Sequence, residues 1–196
     1  MVGKGFEDKI NHAYAFGGPD MSIESVENLL NIDLDYYVQI NMEGLSNLVD
    51  TLGGISLANE LDWYDSGRKF HYAPGELQLN GDQTMGYVRM RYEDPAGDFG
   101  RTKRQRQVIE AIVNKGASFA SVNKIQGVVD VLGDNMSTNM DFNVMKDLLT
   151  NYSGVRKNVE NYMLSGSGTK IDGVYYLVVP DEEIQKVHGM IVEPEV

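Results

Sequence analysis

Six cationic side chains, Arg89, Arg91, Arg101, Lys103, Arg104 and Arg106, fall within the 21 residues from Tyr87 to Gln107. Only Glu93, Asp94 and Asp98 oppose them, so this stretch carries a net charge of +3 while the rest of the 196-residue chain carries −15. A guanidinium presents a planar fork of donors that matches phosphate oxygens two at a time, and a diphosphate suits several such forks. Asp98, set among the arginines, can orient one of them, hold a divalent cation or accept a proton. Equally, Asp98, Asp94 and Glu93 can pair with the arginines as a surface network. The spacing leaves both readings open.

Other chemistries are poorly supported. The absence of cysteine excludes a disulfide framework, a thiolate metal site and a cysteine nucleophile. His12, His71 and His188 lack metal-ligand spacing, and no serine-hydrolase elbow, Walker loop or dinucleotide glycine loop occurs. A formal net charge of −12 argues against duplex nucleic acid as a partner, because that work needs surplus cations. No run approaches the roughly 18 uninterrupted apolar residues of a membrane span, and the first residues lack a signal-peptide pattern. The chain reads as soluble, either by itself or as the soluble part of a protein whose targeting segment lies upstream.

Local patterns suggest the elements that position the cations. Val88 to Tyr92, if extended, puts Arg89 and Arg91 on one face and Val88, Met90 and Tyr92 on the other. Pro95 and Gly97 turn the chain, and Gly100 precedes a helix running to about Phe119 whose free N–H groups form a natural anion seat. At about 100° per residue, Arg101, Gln105, Val108 and Ile112 share one face of that helix, Lys103, Arg106, Gln107 and Glu110 lie opposite in solvent, and Arg104 sits at the border. Cations near a helix N-terminus are opposed by its dipole, a conflict that an anionic ligand removes.

Around this island, Ser22 is expected to cap a helix over Ile23 to Leu30, and Leu34 to Ile40 reads as a strand. Glu43 to Leu52 reads as an amphipathic helix stopped by Gly53 and Gly54, Ile55 to Ala58 as a strand, and Asn80 as the cap of a helix ending near Val88. Leu61 to Gly75 reads as an irregular loop whose Trp63, Tyr64, Phe70 and Tyr72 form either a satellite apolar cluster or the wall of a ligand groove. Helices are expected over Lys124 to Leu132, from Asp141 to about Tyr152 and from Pro180 to about His188. Strands are expected at Glu160 to Leu164 and Val174 to Val179, with a glycine-rich turn at Ser165 to Thr169 between them. The alternation points to one α/β or α+β domain rather than a helical bundle.

Four segments carry a family resemblance. Lys9 to Gly18 resembles the KINAAYAxGG motif of the LytR–CpsA–Psr family, and Asp50 to Ile55 its DxLGGV segment. Leu79 to Arg91 resembles LxGxxALxYxRxR, and Gly97 to Gln105 resembles GDxxRxxRQ. The resemblance implies an α/β/α sandwich with a mixed central sheet and a hydrophobic groove for a polyprenyl chain. It implies a phosphotransferase at the outer face of the bacterial cytoplasmic membrane that moves a glycopolymer (wall teichoic acid, capsule or similar) from an undecaprenyl-pyrophosphate carrier to peptidoglycan, with magnesium assisting. By position, Arg91, Asp98 and Arg101 match the catalytic group, and Lys9, Asn11, Arg89, Arg104 and Gln105 match substrate-binding positions.

The family domain ordinarily begins with further strands, bearing a magnesium-binding aspartate and another arginine, after a membrane helix. Only eight residues precede Lys9. The expectation is therefore a domain lacking its first strands, with the main metal ligands and the membrane anchor upstream and open sheet edges that favour self-association. The alternative function is a non-catalytic polyprenyl-phosphate-binding or regulatory module, in keeping with the family's older label of transcriptional regulator.

Overall fold

The computed structural model describes residues 8–116, 130, 133–151 and 161–193. The helix expected over Lys124 to Leu132 lies outside the described residues except at Asp130, as do Ala117 to Phe119, Tyr152 and Glu160. The chain forms two compact units, one from residues 1–37 and 160–196, the other from residues 38–159.

The second unit holds the basic island. Its strands are β1 (Val38–Ile40), β2 (Ile55–Asn59), β3 (Trp63–Asp65), β4 (Phe70–Tyr72), β5 (Gly75–Leu79) and β6 (Met136–Thr138). Its helices are α2 (Met42–Thr51), α3 (Gly81–Arg89), α4 (Gly97–Gly116) and α5 (Phe142–Asn151), following α1 (Ala13–Leu30) of the first unit. The mixture of helix and strand is as expected. Among the described residues, however, the strands form four two-stranded antiparallel ladders (β1–β6, β2–β5, β3–β4 and one in the first unit) and no continuous mixed sheet.

β2 alternates buried and exposed residues, so Ile55, Leu57 and Asn59 face inward, opposite Leu79, Leu77 and Gly75 of β5. These strands, with Val49 of α2, Met85 and Val88 of α3 and Val108 of α4, enclose a core that also takes Trp63 and Tyr72. The stretch expected to be an irregular loop is thus the β3–β4 hairpin; Trp63 and Tyr72 belong to the main core and Phe70 packs against it, while Tyr64 is exposed. Trp63 and Tyr72 stack with centroids 4.4 Å apart. Asp65 shapes the turn by accepting from the amides of Gly67 and Arg68 at 2.9 and 3.0 Å. Strands of three residues are too short to show alternation in sequence.

Several boundaries move for identifiable reasons. β1 is shorter than the expected Leu34–Ile40 strand because its partner β6 offers only three residues. Ser22 does not cap a helix: Pro19 opens the second half of α1 after a break at Gly17 and Gly18, and the Ser22 hydroxyl donates back to the Gly18 carbonyl at 3.1 Å. Asn80 caps α3 as expected, in a reciprocal capping box with Gln83. Asp141 likewise accepts from the amides of Asn143 and Val144 at the start of α5.

The first unit contains the 3₁₀ turn Ile10–His12, α1, strands β7 (Ser167–Ile171) and β8 (Val174–Val178), and α6 (Asp181–Val192). Residues 161–164 are irregular where a strand is expected, and the presumed turn at Ser165 to Thr169 instead enters β7. The turn itself is Asp172–Gly173, with φ of 50° and 80°, the Asp-Gly pair that closes a two-residue hairpin.

The approach of α3 to α2 leaves no room at Gly81. A Cβ there would lie 2.4 Å from the Ser46 carbonyl oxygen and 2.6 Å from the Asp50 carboxylate, which accepts from the Gly81 amide at 2.7 Å. Gly81→Ala is expected to cost about 2–4 kcal/mol through backbone displacement. Gly116→Ala, at an α4 position with open space around it, is expected to be neutral or stabilising by up to about 1 kcal/mol. Urea unfolding of the two variants checks both signs.

Candidate functional site

The two motifs that bear the cations meet at the connection Met90–Ala96 between α3 and α4. Arg104, expected at the border of α4, is buried, with its side chain 4% exposed. Its Nε donates to the Tyr87 carbonyl at 3.1 Å, one terminal nitrogen donates to the Met90 carbonyl at 2.5 Å and the other to the Asp94 carboxylate. The guanidinium also lies 5.8 Å from the Trp63 ring centroid. The buried face of α4 is therefore Gly100, Arg104, Val108 and Ala111, rotated from the expected face of Arg101, Gln105, Val108 and Ile112. An arginine is admitted to a core when its donors find acceptors, and here the Tyr87 and Met90 carbonyls and the Asp94 carboxylate supply them. Gln107, expected in solvent, is half-buried: it accepts from the Tyr87 hydroxyl at 3.0 Å and donates to the Ala58 carbonyl at 3.1 Å.

Asp94 completes this lock. Burial raises its carboxyl, but the hydrogen bond from Arg104, the amide of Ala96 and the charges of Arg104 and Lys103 outweigh burial and hold it below its ordinary 3.8. Burial likewise pushes the Tyr87 and Tyr72 hydroxyls up to about 12. Asp94 presses so closely on α4 that a Cβ at Gly100 would sit 1.7 Å from its carboxylate oxygen.

On this frame the remaining cations are presented differently. Arg89 ends α3 and Arg91 follows two residues later; both are exposed and without a hydrogen-bond or ion-pair partner among the described residues. Val88 and Arg89 are helical, so the extended geometry expected from Val88 applies only from Met90 onward. α4 begins at Gly97, three residues before the expected start, which places Asp98 in its first turn, where the dipole favours an acid. Arg101, one turn on, pairs with Asp98 at 2.5 Å, and its buried Nε has no partner among the described residues. The conflict expected between cations and the helix dipole is thus relieved internally by Asp98. Gln105 is half-buried beside Arg104.

Lys9 and Asn11 lie in the first unit, where Lys9 Nζ stands 5.1 Å from the Tyr176 ring centroid and Asn11 is exposed. The histidines are engaged separately, His12 with Asp8 at 3.0 Å, His71 with Asp62 at 2.7 Å and His188 with the Leu30 carbonyl at 2.9 Å. Among the described residues no group of three or more His, Asp or Glu side chains could hold a metal ion. Asp94 and Asp98 are each committed to a guanidinium, so these residues do not form a magnesium site. No helix among them is long and apolar enough to cross a membrane.

An α/β frame thus locks one arginine inside and leaves Arg89 and Arg91 exposed and Arg101 half-buried, guanidiniums whose geometry suits anionic groups. Residues 1–191 match the model of the LytR_cpsA_psr family, and the chain belongs to the LytR–CpsA–Psr family. It is 46% identical over 190 residues to the polyisoprenyl-teichoic acid–peptidoglycan teichoic acid transferase TagU of Halalkalibacterium halodurans, a match covering 96% of this chain and 62% of that protein. Among solved structures, that of Bacillus subtilis TagU is 39% identical with a TM-score of 0.78, covering all of this chain and 81% of that one. A structure from Enterococcus faecalis, described as a transcriptional regulator, is 37% identical with a TM-score of 0.89 and covers 97% of this chain and 70% of that one. The chain spans about three fifths of the length of the curated relatives it matches.

The sign of the Asp94 shift sets a pH dependence. A carboxyl lowered in the folded state contributes stability that is fully present above its unfolded value, 3.8, and is lost as pH falls through the lower folded value. Asp94→Asn is expected to lower stability at pH 7 by about 3–5 kcal/mol, since Arg104 is left buried without its counter-ion. The gap between variant and parent should narrow below pH 4, as urea unfolding at pH 7 and pH 3 would show.

Proposed function

We propose that the protein transfers a teichoic-acid-type glycopolymer from a polyprenyl-pyrophosphate carrier to a peptidoglycan hydroxyl, at the outer face of the cytoplasmic membrane. The observation that carries this reading is the pair of exposed guanidiniums of Arg89 and Arg91, without partners among the described residues, leading from a helix end that buried Arg104 holds in place. The name of the TagU relatives supports the same substrate class. In the reaction, the acceptor hydroxyl oxygen attacks the phosphorus bonded to the glycopolymer as its proton passes to water. The bond from that phosphorus to the bridging oxygen breaks, and polyprenyl phosphate leaves. Arg89 and Arg91 take up the charge that grows on the bridging and leaving oxygens, where preorganised cations act most strongly.

Arg101 joins them with its orientation set by Asp98, and Arg104 positions the frame from within. Gln105, next to Arg104 on α4, joins them in carrier binding. Asp94 and Asp98 are each held by a guanidinium and do not make a magnesium site. A DNA-binding regulator would need an open basic recognition helix, whereas α4 buries Arg104 and pairs Arg101 with Asp98.

Arg91→Ala and Arg101→Ala in the complete protein are expected to lower glycopolymer transfer at least about 100-fold, while stability changes by less than about 1 kcal/mol for exposed Arg91 and about 1–2 kcal/mol for half-buried Arg101. Polyprenyl phosphate release and thermal unfolding measure the two effects. Unchanged release in either variant would remove that arginine from the reaction, and parent protein that binds the carrier without releasing phosphate would make it a binding module.

A further inference from the structure

α4 is apolar on two opposite sides. At about 100° per residue, its buried positions Gly100, Arg104, Val108 and Ala111 cluster on one side, and the helix packs on α3 and β2. About 180° away runs a second row, Phe99, Thr102, Arg106, Ile109 and Val113. Its three apolar members, Phe99, Ile109 and Val113, are 45, 60 and 48% exposed. Spacings of three and four residues keep the row in line for about 21 Å. A helix on the surface of a domain needs one apolar side, toward the core. A second one facing out is suited to a partner other than water.

Charge selects that partner. The first unit carries 4 cationic against 14 acidic residues, whereas the unit holding α4 carries 13 against 15. Outside its core face, α4 bears Arg101, Lys103, Arg106 and Lys115 against Asp98 and Glu110, and Arg89 and Arg91 precede it. An apolar row on a cationic helix matches the headgroup zone of an anionic bilayer, whose acyl boundary takes up apolar side chains and whose phosphates take up cations. A second copy of the chain fits the row poorly. Two such rows packed antiparallel about a two-fold axis set Phe99 opposite Val113 and bring the two copies of Arg106 together, like charge on like. Three apolar side chains are also few beside the roughly 20–30 residues a side of a stable protein interface.

Asp98 lies about 60° around the helix from the middle of the row, on the side of Arg101. The Asp98–Arg101 pair therefore stands beside the row rather than beneath it, and stays open while the row is covered. A carrier whose polyprenyl chain lies in a bilayer presents its diphosphate at headgroup level, which is where a helix resting on this row holds the pair.

We propose that α4 rests on the anionic surface of the lipid bilayer through Phe99, Ile109 and Val113, setting the neighbouring arginines at the depth of the carrier's phosphates. The proposal deepens the transfer reading and rests on it for its purpose.

The experiment has two arms. The chain has no cysteine, so Val113→Cys and Ser56→Cys each accept a single polarity-sensitive fluorophore, the first on the row and the second on the exposed side of β2. Vesicles of phosphatidylcholine with one third phosphatidylglycerol should bind the protein and shift the Val113 label to the blue while the Ser56 label stays unchanged. Phosphatidylcholine alone should bind at least about tenfold more weakly. Ile109→Ser combined with Val113→Ser should weaken binding about tenfold with the parent's unfolding midpoint, since both side chains are exposed. Equal binding to the two vesicles, undiminished binding by the double variant, or a silent Val113 label would overturn the proposal. So would a dimer in sedimentation that the double variant abolishes, which would give the row to a second copy. In the other arm, the complete protein is offered the carrier in vesicles and a short-chain carrier dissolved in water. The double variant should raise KM about tenfold for the first and leave it unchanged for the second, whereas equal effects on both overturn the proposal. Vesicle binding through the row with no transfer from either carrier by the parent protein would keep the surface and discard the transfer reading.

Discussion

Arg104 enters the buried face of α4 as a full positive charge, and the core tolerates it because Asp94 and the carbonyls of Tyr87 and Met90 replace water around it. The three acceptors come from the end of α3 and from the connection that follows. One side chain therefore fixes where α3 stops, which way the chain leaves it and where α4 begins. The exposed arginines inherit their placement from that lock: Arg89 and Arg91 lie next to its carbonyl acceptors in sequence, and Asp98 and Arg101 follow the turn that Asp94 shapes. A buried pair of this kind is not a large net source of stability, since desolvation offsets most of the attraction. Its contribution is geometric.

That division explains why the two arginine-bearing motifs hold residues with unlike tasks. In the first, Leu79, Gly81 and Tyr87 are core and contact positions, with Tyr87 1% exposed, while Arg89 faces solvent. In the second, Gly100 makes room for Asp94, Arg104 is internal, and Asp98 and Arg101 are at the surface. The cluster of cations that marks the island in the sequence thus combines a structural charge with charges available to a ligand.

Much of the frame was legible from local chemistry. Asn80 with Gln83, Asp141, and Gly53 with Gly54 mark helix ends through hydrogen-bonding and backbone rules that need no tertiary context. Asp172–Gly173 carried the same kind of signal, but the neighbouring Ser165–Gly168 run drew the turn to the wrong place. What stayed hidden depends on partners distant in sequence. β1 is cut short by β6, about 100 residues away, and the β3–β4 hairpin is visible only through the stacking of Trp63 on Tyr72. For the site, residue types and the family resemblance pointed to the arginines. The helical periodicity puts Arg101 on the core-bound face and Arg104 at its border, whereas the structure buries Arg104; three residues along a helix leave two side chains only about 60° apart, and a rotation of that size separates core from surface.

The fit of Asp94 against Gly100 also constrains how such a sequence can drift. Adding a methyl at Gly100 evicts the carboxylate; removing the carboxylate strands the guanidinium; shortening the guanidinium leaves the carboxylate and two carbonyls unanswered. A change at any one of the three positions alone is therefore costly, and a compensated change needs the other two. Tyr92, Glu93, Pro95 and Ala96, exposed between the fixed points, carry no such restriction. Lineages can therefore reshape the surface around the arginines through these four positions while the arginines themselves stay where they are.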